Sequence, residues 1–230
     1  AFGHIQSLGM LDERGYIAVE TATNSSTQAG FLLGFFGPGP LQAQAIYVPT
    51  VKGSARSPMG YASNIDVAGD YFIVSMNGER GWMFRQRDGR IERLPHYDSP
   101  IACGVVTCSL VFHHQLDRMI LFDGDHFYRS ARRNLLDAGC APACWIKLRM
   151  SGKSAIEWGV GPSPAGVEVE GASLIFDSTS GDVFLLSFGK GYVGEQANPP
   201  NDELLGYQRF NLSAQGARMV AKDVVDLRYP

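Results

Sequence analysis

The chain has 230 residues, of which 45% are hydrophobic and 19% charged, enough to bury one sizeable core. Twenty Lys and Arg against 23 Asp and Glu leave a formal net charge of -3, so there is no basic field to collect phosphates, which disfavours nucleic acid and anionic membrane surfaces as partners. The longest apolar runs, Val105–Phe112 and Ala29–Phe36, fall short of the ~20 residues a helix needs to cross a bilayer, so a soluble chain without membrane insertion is expected.

Apolar residues nowhere recur at helical spacing over three turns, while short runs of Val, Ile, Phe, Tyr and Leu alternate with Gly, Asp, Asn and Pro, the pattern of an all-β chain. The first group of predicted strands is His4–Leu11, Tyr16–Val19 after the turn Asp12–Gly15, and Phe31–Phe36. A second begins at Ser63–Val67 and turns through Ala68–Asp70 into Tyr71–Ser75. It continues with Gly81–Gln86 and, across the Asp88-Gly89 hairpin signal, Arg90–Leu94. The third runs Gly104–Phe112, Arg118–Phe122, His126–Ser130 and Trp145–Arg149. The fourth runs Val167–Phe176, Asp182–Ser187, Tyr207–Leu212 and Ala217–Ala221, with a long surface loop expected over Gly189–Leu204.

Each copy repeats one phrase: a partly polar strand, a tight turn, a very apolar strand, then a more polar aromatic strand carrying Arg85, Arg129 or Arg209. Four copies of about four strands predict an all-β propeller of four blades, or a five-bladed one lacking a blade, rather than a seven- or nine-stranded sandwich. The expected organisation is a single propeller domain over 1–230, with approximate blades at 1–55, 56–100, 101–160 and 161–230. The second strand of each blade, packed between neighbours on both faces, should be the most continuously apolar.

The phrases Ser63–Ser75 and Asp125–Ser130 resemble those of uncharacterised bacterial β-propeller proteins, in which a polar innermost strand turns on Gly-Asp into an aromatic and aliphatic second strand. The resemblance implies the fold and no active site. In plan the chain is also similar to hemopexin-like domains, with Phe122–Tyr128 as the one copy that shares their repeat.

Cys103, Cys108, Cys140 and Cys144 form two close pairs. Two disulfides in an oxidising compartment are expected, with free buried thiols and a four-thiolate zinc site as the alternatives. The chain opens on Ala1-Phe2-Gly3, as a chain does after removal of a leader or after trimming; the expected disulfides are what make a secreted or periplasmic location the expectation. Asn24-Ser25-Ser26 and Asn211-Leu212-Ser213 match the glycosylation acceptor pattern.

Catalytic motifs are absent: there is no Gly-x-Ser-x-Gly, no Walker loop, no His-Glu-x-x-His and no complete calcium-loop ladder. His113 and His114, adjacent on a strand, point to opposite faces and read as a solvated turn. Asp123-Gly-Asp-His126 reads as a hairpin turn needing no metal.

The functional surface of a propeller is its axial channel, lined by the first strand of each blade. The polar residues on those strands, His4, Gln6, Asn64, Asp66, Thr107, Ser109, Glu168 and Glu170, are the candidate binding residues. On a regular strand Glu168 and Glu170 share a face about 7 Å apart, able to split their pKa values or to hold a structural cation in the channel. Trp82, Trp145, Trp158, Tyr61, Tyr97 and Tyr192 fall at strand starts or in loops, most of them expected in the core and Trp158 exposed.

The leading reading is a binding module that recognises a glycan, peptide or small ligand at a propeller face or axial channel. The alternatives are a hydrolase or lyase using Glu168 or Glu170 with His4, and a scaffold presenting a flat face to a protein partner. Whether the chain is an enzyme, and which cofactor it takes if any, stays open.

Overall fold

Left-handed backbone positions mark where the hairpins turn. Gly69 (φ 63°), Asp117 (φ 53°), Gly181 (φ 75°) and Asp88 (φ 50°) each adopt it, a conformation that Gly and Asp tolerate best. In the computed structural model the described backbone comprises residues 5–10, 16–25, 28–36, 42–49, 62–76, 81–88, 90–100, 108–123, 126–135, 144–151, 168–191 and 202–226. Side chains are described over 65–74, 81–88, 90–100, 108–123, 126–135, 144–151, 173–186 and 207–222.

The described residues form four sheets. The first holds β1 (Ile5–Met10), β2 (Tyr16–Ser25), β3 (Gln28–Phe36) and β4 (Gln42–Pro49). The second holds β5 (Ala62–Ala68), β6 (Tyr71–Met76), β7 (Trp82–Arg87) and β8 (Arg90–Arg93), followed by a 3-10 turn at Pro95–Tyr97. The third holds β9 (Ser109–His113), β10 (Arg118–Phe122), β11 (Phe127–Ser130) and β12 (Trp145–Lys147). The fourth holds β13 (Arg149–Ser151), β14 (Glu168–Phe176), β15 (Val183–Gly191), β16 (Asp202–Leu212) and β17 (Gly216–Asp226).

In every sheet four consecutive strands lie side by side in chain order and pair antiparallel with the next. The first strands then meet one another, β1 against β5, β5 against β9, and β14 against both β9 and β5. Up-and-down sheets whose first strands converge are the blades of a β-propeller.

Packing between blades follows the period-two alternation of a strand. On β10, Met119 and Leu121 join Ile73, Met83, Tyr97, Cys108 and Trp145 in the seam between blades two and three. Its alternate residues Ile120 and Phe122 join Phe127, Leu174, Leu185 and Phe210 in the seam between blades three and four. All four of these β10 residues are at most 1% exposed, as expected for a strand buried on both faces. Hydrogen bonds stitch the first of these seams: the Tyr71 hydroxyl donates to Asn134 Oδ1 at 2.9 Å, and the Trp145 indole donates to the Tyr97 carbonyl at 3.1 Å. In the second, the Arg129 guanidinium reaches the Ala214 carbonyl at 2.7 Å.

The structure departs from the sequence reading in three places. The run Trp145–Arg149 is two strands, because buried Leu148 donates its N–H back to Phe127 and the chain then joins β17 as a short parallel strand. The expected loop over Gly189–Leu204 is partly hairpin, with Gly189 paired to Leu204, Lys190 to Glu203 and Gly191 to Asp202. Residues 192–201 lie outside the described residues. Strand β4, with its Gln-Ala-Gln-Ala alternation, was not expected, since small and amide side chains give little β signal.

Candidate functional site

The first strand of a blade has one backbone edge with no strand beside it, and its N–H groups there need partners. Asp66 supplies them. It is 7% exposed on β5, and its Oδ2 accepts from the backbone N–H of Leu110 on β9 at 3.0 Å and of Leu174 on β14 at 3.3 Å. Its Oδ1 accepts from Val67 N–H at 3.1 Å and from the Ser173 hydroxyl at 3.1 Å. One carboxyl group therefore ties the first strands of three blades.

Burial pushes the Asp66 pKa up to about 7, with the hydrogen bonds from Leu110, Leu174, Ser173 and Val67 pulling against it. Asp182 makes the opposite case within the same fold. It is 4% exposed, and burial raises its pKa, but the Asn211 amide at 2.8 Å and the Arg209 guanidinium outweigh this and leave it below the ordinary carboxylate value. Arg209 also lies over the Phe184 ring at 5.8 Å.

A second feature of the first strands is their irregularity. Pairing of β1 with β2 shifts between Ile5 and Ser7, that of β5 with β6 between Ala62 and Asn64, and that of β14 with β15 between Val169 and Gly171. The residues passed over are Gln6, Ser63 and Glu170, each polar and each toward the start of its strand. A bulge inserts an unpaired residue and re-aims the chain.

Of the candidate residues, Gln6 is on β1, Asn64 and Asp66 on β5, Ser109 on β9, and Glu168 and Glu170 on β14. Ser109 is buried. His4, Thr107, Cys103 and Cys140 lie outside the described residues, as do Tyr61, Trp158 and Tyr192. Cys108 and Cys144 are buried in one cluster, and no described cysteine is a free thiol. Among the other aromatics Tyr97 and Trp145 are core residues.

His113 corrects the solvated-turn reading. Its imidazole is fully buried, packed on the Phe176 ring of the next blade at a centroid distance of 4.7 Å. Its Nδ1 accepts from Leu116 N–H at 3.1 Å, and Nε2 has no hydrogen-bond partner among the described residues. Burial lowers its pKa and favours the neutral ring. His114 is exposed, yet its ring also packs on Phe176, at a centroid distance of 5.3 Å, so the two rings converge on one aromatic neighbour rather than diverging as residues of a regular strand would. Asp123 Oδ1 accepts from His126 N–H at 2.8 Å, a turn contact. Among the described residues no three His, Cys, Asp or Glu side chains come together to hold a metal ion. No described helix is long and apolar enough to cross a membrane.

One cleft escaped the sequence reading. On the outer strands of blade four, Arg149 and Arg218 flank Gly216 in a shallow depression of about 380 Å³. It exists because β13 leaves the third blade to pair with β17, placing Arg149 opposite Gly216 and Ser151 opposite Arg218, a parallel pairing for which the sequence carries no turn signal.

No protein-family model matches the chain, and no curated protein matches it. Among solved structures it is similar to the N-terminal domain of Nup159, at 8% identity with a TM-score of 0.40, over 95% of this chain and 61% of that one. The chain thus spans less than two thirds of that structure's length, and at this level of likeness neither fold nor function is carried across.

Proposed function

We propose that the chain is a secreted or periplasmic binding module, a single propeller domain that recognises a glycan, peptide or small ligand at the axial mouth where the first strands begin. The observation that carries this reading is the set of bulges at Gln6, Ser63 and Glu170 on three first strands. Bulges concentrate beside sites where a side chain must leave the regular ladder. Asn64 and Glu168 occupy neighbouring positions on the same strands, and the Asp66 tie holds β5, β9 and β14 together next to them. His4 and Thr107 complete the proposed lining, and Ser109 and Asp66 stand behind it as supports.

The resemblance of Ser63–Ser75 to uncharacterised bacterial propellers supports the fold on which this reading rests. Buried Cys108 and Cys144, neither a free thiol, support disulfides with Cys103 and Cys140 and an oxidising compartment.

Native mass spectrometry of the chain as isolated, with metal analysis on the same sample, tests the proposal. A bound small molecule or cation that leaves on denaturation, and whose occupancy falls about tenfold in Gln6→Ala/Glu170→Gln, is the expected result. A bare mass together with no glycan or peptide binding above background overturns the axial site.

A further inference from the structure

We propose that the cleft on the outer strands of blade four binds a divalent tetrahedral oxyanion, a phosphate or sulfate group held between the guanidinium groups of Arg149 and Arg218. The short parallel pairing of β13 creates it. Arg149 stands opposite Gly216 and Ser151 opposite Arg218. On the other side of β17, Asn211 stands opposite Arg218 and Leu212 opposite Ala217. Side chains alternate between the two faces of a strand. One face of this corner therefore carries Met150, Ala217 and Leu212, which pack into the seam with blade three. The other carries Arg149, Ser151, Arg218 and Asn211, all exposed.

Gly216 lies between the two arginines, and its lack of a side chain keeps open the depression of about 380 Å³. A Cβ there would stand 3.0 Å from the Arg149 carbonyl, so the strand would have to shift to admit one. The turn beneath is fixed by its own hydrogen bonds. Ser213 Oγ accepts from Gly216 N–H at 3.0 Å, Ser213 N–H donates to the Gly216 carbonyl at 2.8 Å, and Arg149 N–H donates to the Gln215 carbonyl at 3.0 Å. Arg129 of blade three grips the same turn through the Ala214 carbonyl and brings a third positive charge to it. A site whose walls are already ordered loses little freedom on binding.

Charge decides the class of ligand. Arg93 holds Asp98, Arg133 holds Asp117 and Arg209 holds Asp182, but among the described residues neither Arg149 nor Arg218 has a carboxylate partner. Asp182, bound to Asn211 in the cleft wall, is already taken by Arg209. The two arginines occupy diagonal positions on adjacent strands, about 7 Å apart at Cβ, a span that two long side chains close on one anion. Two fixed positive charges match a divalent group, and a tetrahedral oxyanion presents oxygens in enough directions for both planar forks. The Ser151 hydroxyl is a further donor. The net charge of -3 disfavours polyanions, whereas a small ion in the cleft lies within roughly a Debye length, about 8–10 Å, of both arginines and feels their local field.

Titration of the whole chain with inorganic phosphate, at an ionic strength held constant with chloride, tests the site through the amide resonances of Gly216, Ala217 and Arg218. Saturable shifts there, displaced by sulfate and not reproduced by acetate, are the expected result. Arg149→Gln and Arg218→Gln should each weaken phosphate binding at least about tenfold, the loss of one charge-assisted pair. Arg218→Lys keeps the charge but not the fork, so it should also bind more weakly, and it carries the test if a glutamine variant does not fold. Tighter binding of glycerol phosphate than of inorganic phosphate would identify an esterified ligand as the source, and equal affinity the free ion, each in support of the site. Absence of saturable shifts, an equal response to acetate, or unchanged affinity in these variants overturns the proposal.

Discussion

A single oxygen of Asp66 accepts hydrogen bonds from Leu110 and Leu174, residues 44 and 108 positions away in sequence, and so joins three blades at one atom. Asp66→Ala leaves two buried N–H groups on the open edges of β9 and β14, each unsatisfied donor costing about 1–3 kcal/mol. With two such donors the expected loss in urea denaturation is about 2–6 kcal/mol. A loss below 1 kcal/mol would show that water replaces the carboxyl freely.

Asp182 should govern the acid limb of stability. Its folded pKa lies below the ordinary value of 3.8, so its contribution is present above that value and fades as pH falls through the folded one. Asp182→Asn removes this dependence and leaves the Arg209 guanidinium unpaired. Comparison of unfolding midpoints at pH 2.5 and pH 5 should show a shallower acid loss in the variant than in the parent chain.

The two left-handed glycines separate strain from collision. Gly69 has open space where a Cβ would sit, so Gly69→Ala should cost only the backbone term, about 1–2 kcal/mol. At Gly181 the added Cβ meets the far end of the exposed Gln115 side chain, which must swing aside, so Gly181→Ala should cost slightly more. Adding Gln115→Ala should recover the difference and return the double variant to the Gly69→Ala level, and thermal unfolding of the four chains reads this directly.

Adjacent residues of β10 should report different seams. Leu121→Ala opens a cavity between blades two and three, and Ile120→Ala one between blades three and four, each at about 2–5 kcal/mol. Amide exchange should rise around Tyr97 and Trp145 in the first variant and around Leu185 and Phe210 in the second. Identical exchange maps would mean that the blades open only as a unit.

The two cysteine pairs predict an intact mass roughly 4 Da below that of the reduced chain. Cys144→Ser should destabilise it by about 2–4 kcal/mol. A mass equal to the reduced value would remove the argument for an oxidising compartment.

The residues alone determined the repeating part of this protein. Strand β10, Arg118–Phe122, has the predicted bounds, because an unbroken apolar run between polar turns can only be a strand packed on both faces. Turn positions at Gly69, Asp117 and Gly181 were legible for the same local reason, since backbone strain is settled within a few residues. The split at Leu148, the bulges at Gln6, Ser63 and Glu170, and the burial of His113 were decided by neighbours distant in sequence. Asp66 was visible as a polar residue on an apolar strand, but its role was not. Only when β5, β9 and β14 converge does its carboxyl meet the open backbone edges of two other blades, and the burial and hydrogen bonds found there, not the sequence, set its proton affinity.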